Sequence, residues 1–110
     1  MSNINTVTIS GRLTRDPELR YLNNGNAVAN FAVAVNAWNG TEETVSYFDC
    51  ACFGKRAEAV AQHRHQGDAV IINGRLSQNR WEADGQKRSR IEIVADQVEF
   101  GARKQPDEGE

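Results

Sequence analysis

The 110-residue chain is long enough for one domain with a hydrophobic core and too short for two. A hydrophobic content of 39%, a charged content of 25% and a net charge of −2 are ordinary for a globular protein, and no apolar run is long enough to cross a bilayer. Two cysteines and no signal-peptide pattern predict a cytoplasmic protein, because free thiols persist in a reducing compartment.

The basic side chains are concentrated in the second half of the chain. Residues 55–90 hold eight Lys and Arg against four Asp and Glu. This local excess is compatible with phosphate binding, and equally with an ordinary solvated face. The polar segment 101–110, which ends in QPDEGE, is predicted to be a disordered tail after a single domain at 1–100.

Two strands are predicted first. In residues 4–13 apolar residues alternate with polar ones, the inward set being Val7, Ile9, Gly11 and Leu13. In residues 27–38 the inward set is Phe31, Val33 and Val35, and Trp38 falls outside it. Between them, turn signals at Asp16-Pro17 and Asn24-Gly25 flank a short piece around residues 19–22.

A third strand, at about 44–53, carries both cysteines. The period of two places Phe48, Cys50 and Cys52 on the core face and turns outward Val45, Tyr47, Asp49, Ala51 and Phe53. We interpret the thiols as packing residues, because structural zinc needs four ligands. The other candidate ligands, His63 and His65, lie two apart on a predicted helix and point to different faces. Neither a metal nor a cofactor is predicted.

The rest of the chain predicts a helix and two strands. The helix covers KRAEAVAQHRHQ, residues 55–66, with a thin inward stripe of Ala57, Val60, Ala61 and Arg64 and with Gly67 as its stop. A strand at 69–81 turns inward Val70, Ile72, Gly74 and Leu76. After the hairpin signal Asp84-Gly85, a strand at 87–98 turns inward Ile91 and Ile93.

This order of elements predicts an all-β fold. Three strands, one helix and two strands are the order of the OB-fold, a five-stranded Greek-key barrel with its helix between strands three and four. A generic small β-barrel is the alternative.

Four aromatic rings lie outside the apolar sets of their strands, namely Trp38, Tyr47, Phe53 and Trp81. A single such ring is readily explained as a cap on a barrel end or as part of a subunit contact. Four together indicate single-stranded nucleic acid, because unpaired bases expose faces that stack on aromatic rings and basic groups hold the phosphates. The arginines beside these rings are Arg12, Arg75, Arg88 and Arg90.

Two segments resemble the signatures of the bacterial single-stranded DNA-binding protein family, and the likeness extends over about residues 4–100. They are DPELRYLNNGNAVANFAVAV (16–35) and FGKRAEAVAQHRHQGDAVIINGRL (53–76). The resemblance implies an OB-fold, usually assembled as a homotetramer, that coats single strands in replication, recombination and repair. It implies base stacking at Trp38, Tyr47, Phe53 and, more weakly, Trp81. It implies backbone contacts at Lys55, Arg75, Arg80 and Lys87.

The predicted function is therefore sequence-independent binding and protection of single-stranded DNA, with no membrane and no enzymatic activity. No nucleophile with an oriented base, carboxylate pair or phosphate-cradling glycine loop is visible. The alternatives are a primosome-type accessory OB-protein that acts mainly through protein contacts, and a pure assembly module that turns its aromatic face toward protein.

Self-assembly is also predicted. The residues alone indicate a homo-oligomer, because so small a barrel leaves strand edges open, and the number four comes from the resemblance. Members of that family commonly end in a glycine-rich linker and an acidic tip that recruits partner enzymes. This sequence ends in QPDEGE, which puts recruitment of replication or repair enzymes through such a tip in doubt.

Overall fold

Residues 3–100, the part of the chain that the computed structural model describes, form six strands and one helix. In chain order these are β1 Val7–Leu13, β2 Glu18–Tyr21, β3 Ala27–Trp38, β4 Glu43–Phe53, α1 Lys55–His63, β5 Ala69–Ala83 and β6 Gln86–Phe100. Each predicted element is present, and the short piece between the two turn signals forms the additional strand β2. The predicted tail, 101–110, lies outside the described residues.

Five of the strands close a barrel. The hydrogen-bonded order is β1-β5-β6-β4-β3, and a pairing between β1 and β3 joins the two ends, while β2 extends the sheet beyond β3. All pairs are antiparallel except β4 with β6. The predicted OB-fold is confirmed, with α1 between the third and fourth strands of the barrel. The β5–β6 hairpin turns at Asp84 and Gly85, whose φ angles of 53° and 76° suit a two-residue turn.

Two glycines allow backbones to approach closely where the barrel curves. A Cβ at Gly11 would overlap the carbonyl oxygen of Ala34 on β3, and one at Gly74 would overlap that of Val94 on β6. Neither overlap could relax by rotation of a side chain, because both involve backbone atoms. Gly11 thus lets β1 reach β3, and Gly74 lies at the register shift between β5 and β6.

The helix plugs one end of the barrel. Ala57 and Val60 are buried in the core cluster, which includes Phe31, Val33, Val70 and Ile72. The helix ends at His63, three residues earlier than predicted, because Arg64 adopts an extended conformation. The Arg64 N–H donates the last helical hydrogen bond, to the Val60 carbonyl at 3.0 Å. The next N–H, of His65, donates to the Asp68 carboxylate at 2.9 Å instead of continuing the helix. No helix within residues 3–100 is long and apolar enough to cross a membrane.

Three apolar residues predicted to face the core instead lie at an open mouth of the barrel. Phe48, Leu76 and Ile91 are 38%, 48% and 60% exposed. Each is in phase with the buried residues of its own strand, so it lies on the predicted face of that strand. The prediction that it is buried is wrong. The parallel pairing of β4 with β6 is limited to Cys50–Ile93 and Ala51–Val94, and beyond it the strands separate. Without a neighbouring strand, the inward face meets solvent.

Ala51 shows the opposite discrepancy. The alternation of β4 predicts that Ala51 faces outward with Tyr47 and Phe53, but it is 2% exposed. It lies between Asn30 on β3 and Val94 on β6, and its own strand is paired on both edges at this point. A methyl group flanked by larger side chains on a sheet surface is covered by them, so orientation alone does not expose it.

Candidate nucleic-acid interface

Three aromatic rings share the outer face of the β3–β4 ladder. Trp38 and Tyr47 are each 69% exposed and Phe53 is 46% exposed. Tyr47 lies opposite Ala34, whose methyl group leaves the ring unobstructed on that side. The face therefore presents three exposed flat rings, a form suited to stacking planar groups.

The β5–β6 hairpin presents the fourth ring. Trp81 is 46% exposed and lies opposite Arg88 on the neighbouring strand. Alternation places Trp81 and Arg88 on one face of the hairpin with Arg90, and it places Arg80 and Lys87 on the other. An open depression of about 520 Å³ lies at this hairpin, lined by Gln78, Arg80, Trp81, Glu82, Lys87, Arg88 and Ser89. Three predicted basic residues of the hairpin, Arg80, Lys87 and Arg88, therefore line it from both faces of the hairpin, and Arg90 does not.

Four of the arginines that are predicted to contact phosphates already bind another group of the protein. Arg75 Nη1 lies 3.1 Å from Asp96 Oδ1, and Arg90 Nη2 lies 3.5 Å from Asp49 Oδ2. Arg12 donates from Nη1 to the Gly67 carbonyl at 2.9 Å, and Arg80 donates from Nη2 to Gln78 Oε1 at 3.0 Å. Each of these arginines keeps further N–H donors, but the charges of Arg75 and Arg90 are partly neutralised by their carboxylate partners.

The remaining three predicted cations have no ion pair or side-chain hydrogen bond within residues 3–100. They are Lys55, Lys87 and Arg88, and all are exposed. Lys55 opens α1 two residues after Phe53, so it lies at the edge of the β3–β4 face. Lys87 and Arg88 lie on the hairpin beside Trp81. Among residues 3–100, the predicted cations without a partner therefore lie in two places, one at the start of α1 and one on the β5–β6 hairpin.

Sequence reasoning missed one cation on this face. Arg20 on β2 lies opposite Val28, which in turn lies opposite Phe53, so the three residues form a row across β2, β3 and β4. Arg20 is exposed and its Nε donates only a long hydrogen bond, 3.4 Å, to Asn30 Oδ1. The four-residue strand β2 is too short for alternation to assign its faces, and only its pairing with β3 reveals this position.

The two thiols lie beneath the ring-bearing face, in the core. Cys50 and Cys52 are 1% and 0% exposed, which confirms their predicted packing role. Burial raises the pKa of Cys50 to about 12, and the neighbouring Asp49 carboxylate adds to the effect. Burial raises the pKa of Cys52 to about 11, against a lowering influence of Arg56. Both thiols are therefore neutral at physiological pH. Within residues 3–100 no group of three or more His, Cys, Asp or Glu side chains could hold a metal ion.

The profile of the family described as "Single-strand binding protein family" matches residues 4–101. The chain belongs to this family. Both segments on which the resemblance was based lie within the matched region, so the family predicted from the sequence is confirmed.

Relatives in the single-strand binding family match most of this chain. The single-stranded DNA-binding protein of Treponema pallidum is 39% identical over 104 residues, which cover 91% of this chain and 59% of the relative. That of Fusobacterium nucleatum is 36% identical over 106 residues, 92% of this chain and 69% of the relative. That of Aquifex aeolicus is 39% identical over 117 residues, 97% of this chain and 80% of the relative. The chain thus spans about three fifths of the length of the Treponema relative.

The fold of this member of the single-strand binding family also matches a solved structure. The Plasmodium falciparum SSB, in complex with single-stranded DNA, superposes with a TM-score of 0.85 at 21% sequence identity. The match covers 93% of this chain and 98% of the other. At this identity the likeness supports the barrel architecture and not individual contacts.

Proposed function

We propose that this chain binds and protects single-stranded DNA without regard to its sequence and without catalysis. The observation that carries the proposal is the outer face of β3 and β4, where Trp38, Tyr47 and Phe53 are all exposed. A base stacked on an aromatic ring gains about 1–3 kcal/mol, and every base offers such a face, so stacking does not select a sequence. Membership in the single-strand binding family and the names of the relatives support the same ligand.

The basic residues would hold the backbone. Lys55, Lys87 and Arg88 have no ion pair with another side chain of residues 3–100 and would bind phosphates directly. Arg12, Arg75, Arg80 and Arg90 would bind phosphates beside their present partners or in place of them. Such contacts make binding salt-dependent, since each neutralised phosphate of a single strand releases about 0.7 of a counterion. The cellular setting that fits this activity is DNA replication, recombination and repair in the cytoplasm.

A primosome-type accessory role is less well supported. Exposed aromatic rings beside cations occur in protein interfaces as well as in nucleic-acid sites, so the rings alone do not decide between the two roles. The compared relatives carry the name single-stranded DNA-binding protein.

Self-assembly is part of the proposal. Phe48, Leu76 and Ile91 form the mouth patch, an exposed apolar surface where β4 and β6 separate, and Tyr47, Asp49, Glu92 and Ile93 border it. Apolar clusters of this kind are typical of protein contact surfaces, because leaving them in water costs free energy. Contact between copies of the chain through the mouth patch would cover it, and a homotetramer is the assembly that the family resemblance implies.

Titration of oligo-dT and of a duplex of equal length, each at two salt concentrations, tests the function. Both tryptophans, Trp38 and Trp81, are exposed, so stacking should quench their fluorescence, and added salt should restore it. Duplex should bind far more weakly, because its bases stack on one another and cannot reach the rings. The variant Trp81→Phe would assign the remaining signal to Trp38. Equal affinity for the duplex would contradict the proposal.

A further inference from the structure

Asp49 places a negative charge in the middle of the aromatic face. It lies on β4 between Tyr47 and Phe53 in the outward set, and its side chain is 48% exposed. Its neighbour on β3 is Ala32, whose methyl group does not screen it. A phosphate that passed over this part of β4 would meet a carboxylate rather than a cation, so this residue opposes the ligand that its surroundings favour.

The same carboxylate holds an arginine. Arg90 on β6 lies with Nη2 3.5 Å from Asp49 Oδ2 and 4.0 Å from Glu92 Oε2. The ion pair between Asp49 and Arg90 spans the place where β4 and β6 separate, beside the mouth patch. The Arg90 side chain is 51% exposed, so solvent and phosphate can reach it. The Glu92 side chain is only 16% exposed and also accepts a hydrogen bond from Asn79 Nδ2 at 3.3 Å. Asp49 is therefore the more exposed of the two carboxylates that pair with Arg90, and the one that a DNA phosphate would have to displace.

We propose that Asp49 limits the affinity of this face for single strands by competing with the DNA backbone for Arg90. The inference rests on the proposed function, because it concerns the same surface. An exposed carboxylate–guanidinium pair changes an equilibrium by at most about fivefold, so a phosphate can displace the carboxylate, at a cost in affinity. Arg90 is thereby a latent phosphate ligand, and Asp49 sets how much it contributes.

The variant Asp49→Asn tests the proposal, because it removes the charge and keeps the shape. It should tighten oligo-dT binding about two- to fivefold at low salt. It should also steepen the dependence of log K on log salt concentration by about 0.7, since Arg90 keeps only the longer contact with Glu92 and can neutralise one more phosphate. The melting temperature should fall by no more than a few degrees, because the lost ion pair with Arg90 is exposed and contributes little to folding.

The matched control is Glu99→Gln, which makes the same change in net charge elsewhere. Glu99 has no ion pair or side-chain hydrogen bond in the described part of the chain and lies near the far end of β6. At about 3.3 Å per residue it is roughly 30 Å along the strand from Arg90, well beyond a Debye length of about 8 Å. The Glu99→Gln variant should bind oligo-dT with the original affinity and the original salt dependence.

Repeating Asp49→Asn in an Arg90→Gln background separates competition from simple repulsion. If Asp49 acts through Arg90, the gain should fall to the level of the Glu99→Gln control. An undiminished gain in that background would overturn the proposal, because Asp49 would then act by its own charge. Unchanged affinity of Asp49→Asn, in a protein that otherwise binds oligo-dT, would also overturn it. Failure of the original protein to bind oligo-dT at all would instead refute the proposed function, and this inference with it.

Discussion

Tyr47 and Phe31 lie on neighbouring strands and differ in where their rings end up. The Tyr47 ring is outside the barrel and the residue is 69% exposed, whereas Phe31 is 1% exposed in the core. Replacing Tyr47 with alanine should leave the melting temperature nearly unchanged and weaken oligo-dT binding by about 1–3 kcal/mol. Trp38→Ala and Phe53→Ala should behave similarly. Fluorescence titration, read beside a thermal melt of each variant, measures both effects.

The control for that series is Phe31→Ala. This change opens a cavity in the core and should lower the free energy of unfolding by about 3–5 kcal/mol. Phe48 does not serve as this control, although it shares the inward alternation of β4, because it lies in the exposed mouth patch. A Tyr47→Ala protein that unfolds and shows no binding defect while folded would show that the outer face of β4 is structural.

At the scale of one element, β4 carries a test of what its buried thiols do. Cys50 and Cys52 have ordinary pKa values near 9.0 when exposed, and burial raises these to about 12 and about 11. Between pH 9 and the pKa of the folded state, each thiol loses its proton in the unfolded chain and keeps it in the folded chain. The unfolded state is therefore increasingly favoured as pH rises. The thiols' contribution to stability is fully present below pH 9 and is lost as pH rises through their folded pKa values.

The double variant Cys50→Ala/Cys52→Ala should therefore show a shallower fall in stability above pH 9. At neutral pH it should be less stable than the original by about 0.5–3 kcal/mol, because core packing is lost. Urea unfolding across the alkaline range gives both quantities. Oligo-dT affinity at neutral pH should survive, since the thiols face away from the rings. Stoichiometric zinc in the original protein that disappears with the double change would contradict the packing role.

At the scale of the whole molecule, the mouth patch and the strand edges predict self-association. Light scattering at micromolar concentration should report a mass several times the 12.2 kDa of one chain, and four times for the homotetramer. Phe48→Glu or Ile91→Glu should shift the mass downward, because a buried unpaired carboxylate opposes association. Tyr47→Ala, which changes an aromatic residue bordering the same patch, should not. A single 12.2 kDa species would contradict assembly.

The amino-acid sequence by itself determined the order of the elements and the face on which most side chains lie. Side-chain direction in a strand repeats every two residues, and burial of one face is the main way in which so short a chain gains stability. The alternation in 4–13, 27–38 and 69–81 therefore predicts the core faces of β1, β3 and β5. The outward position of Tyr47 and Phe53 and the inward position of the two cysteines follow from the same periodicity.

Only the tertiary structure decided which side chains are enclosed and which charges meet. Alternation specifies a side of a strand, and burial depends also on whether a neighbouring strand continues beside it. Phe48 and Ile91 are exposed because β4 and β6 part, and Ala51 is buried because β4 is paired on both edges. The ion pair between Asp49 and Arg90 likewise joins residues far apart in the chain. Such a contact depends on a distance across the sheet, and local periodicity carries no information about that distance.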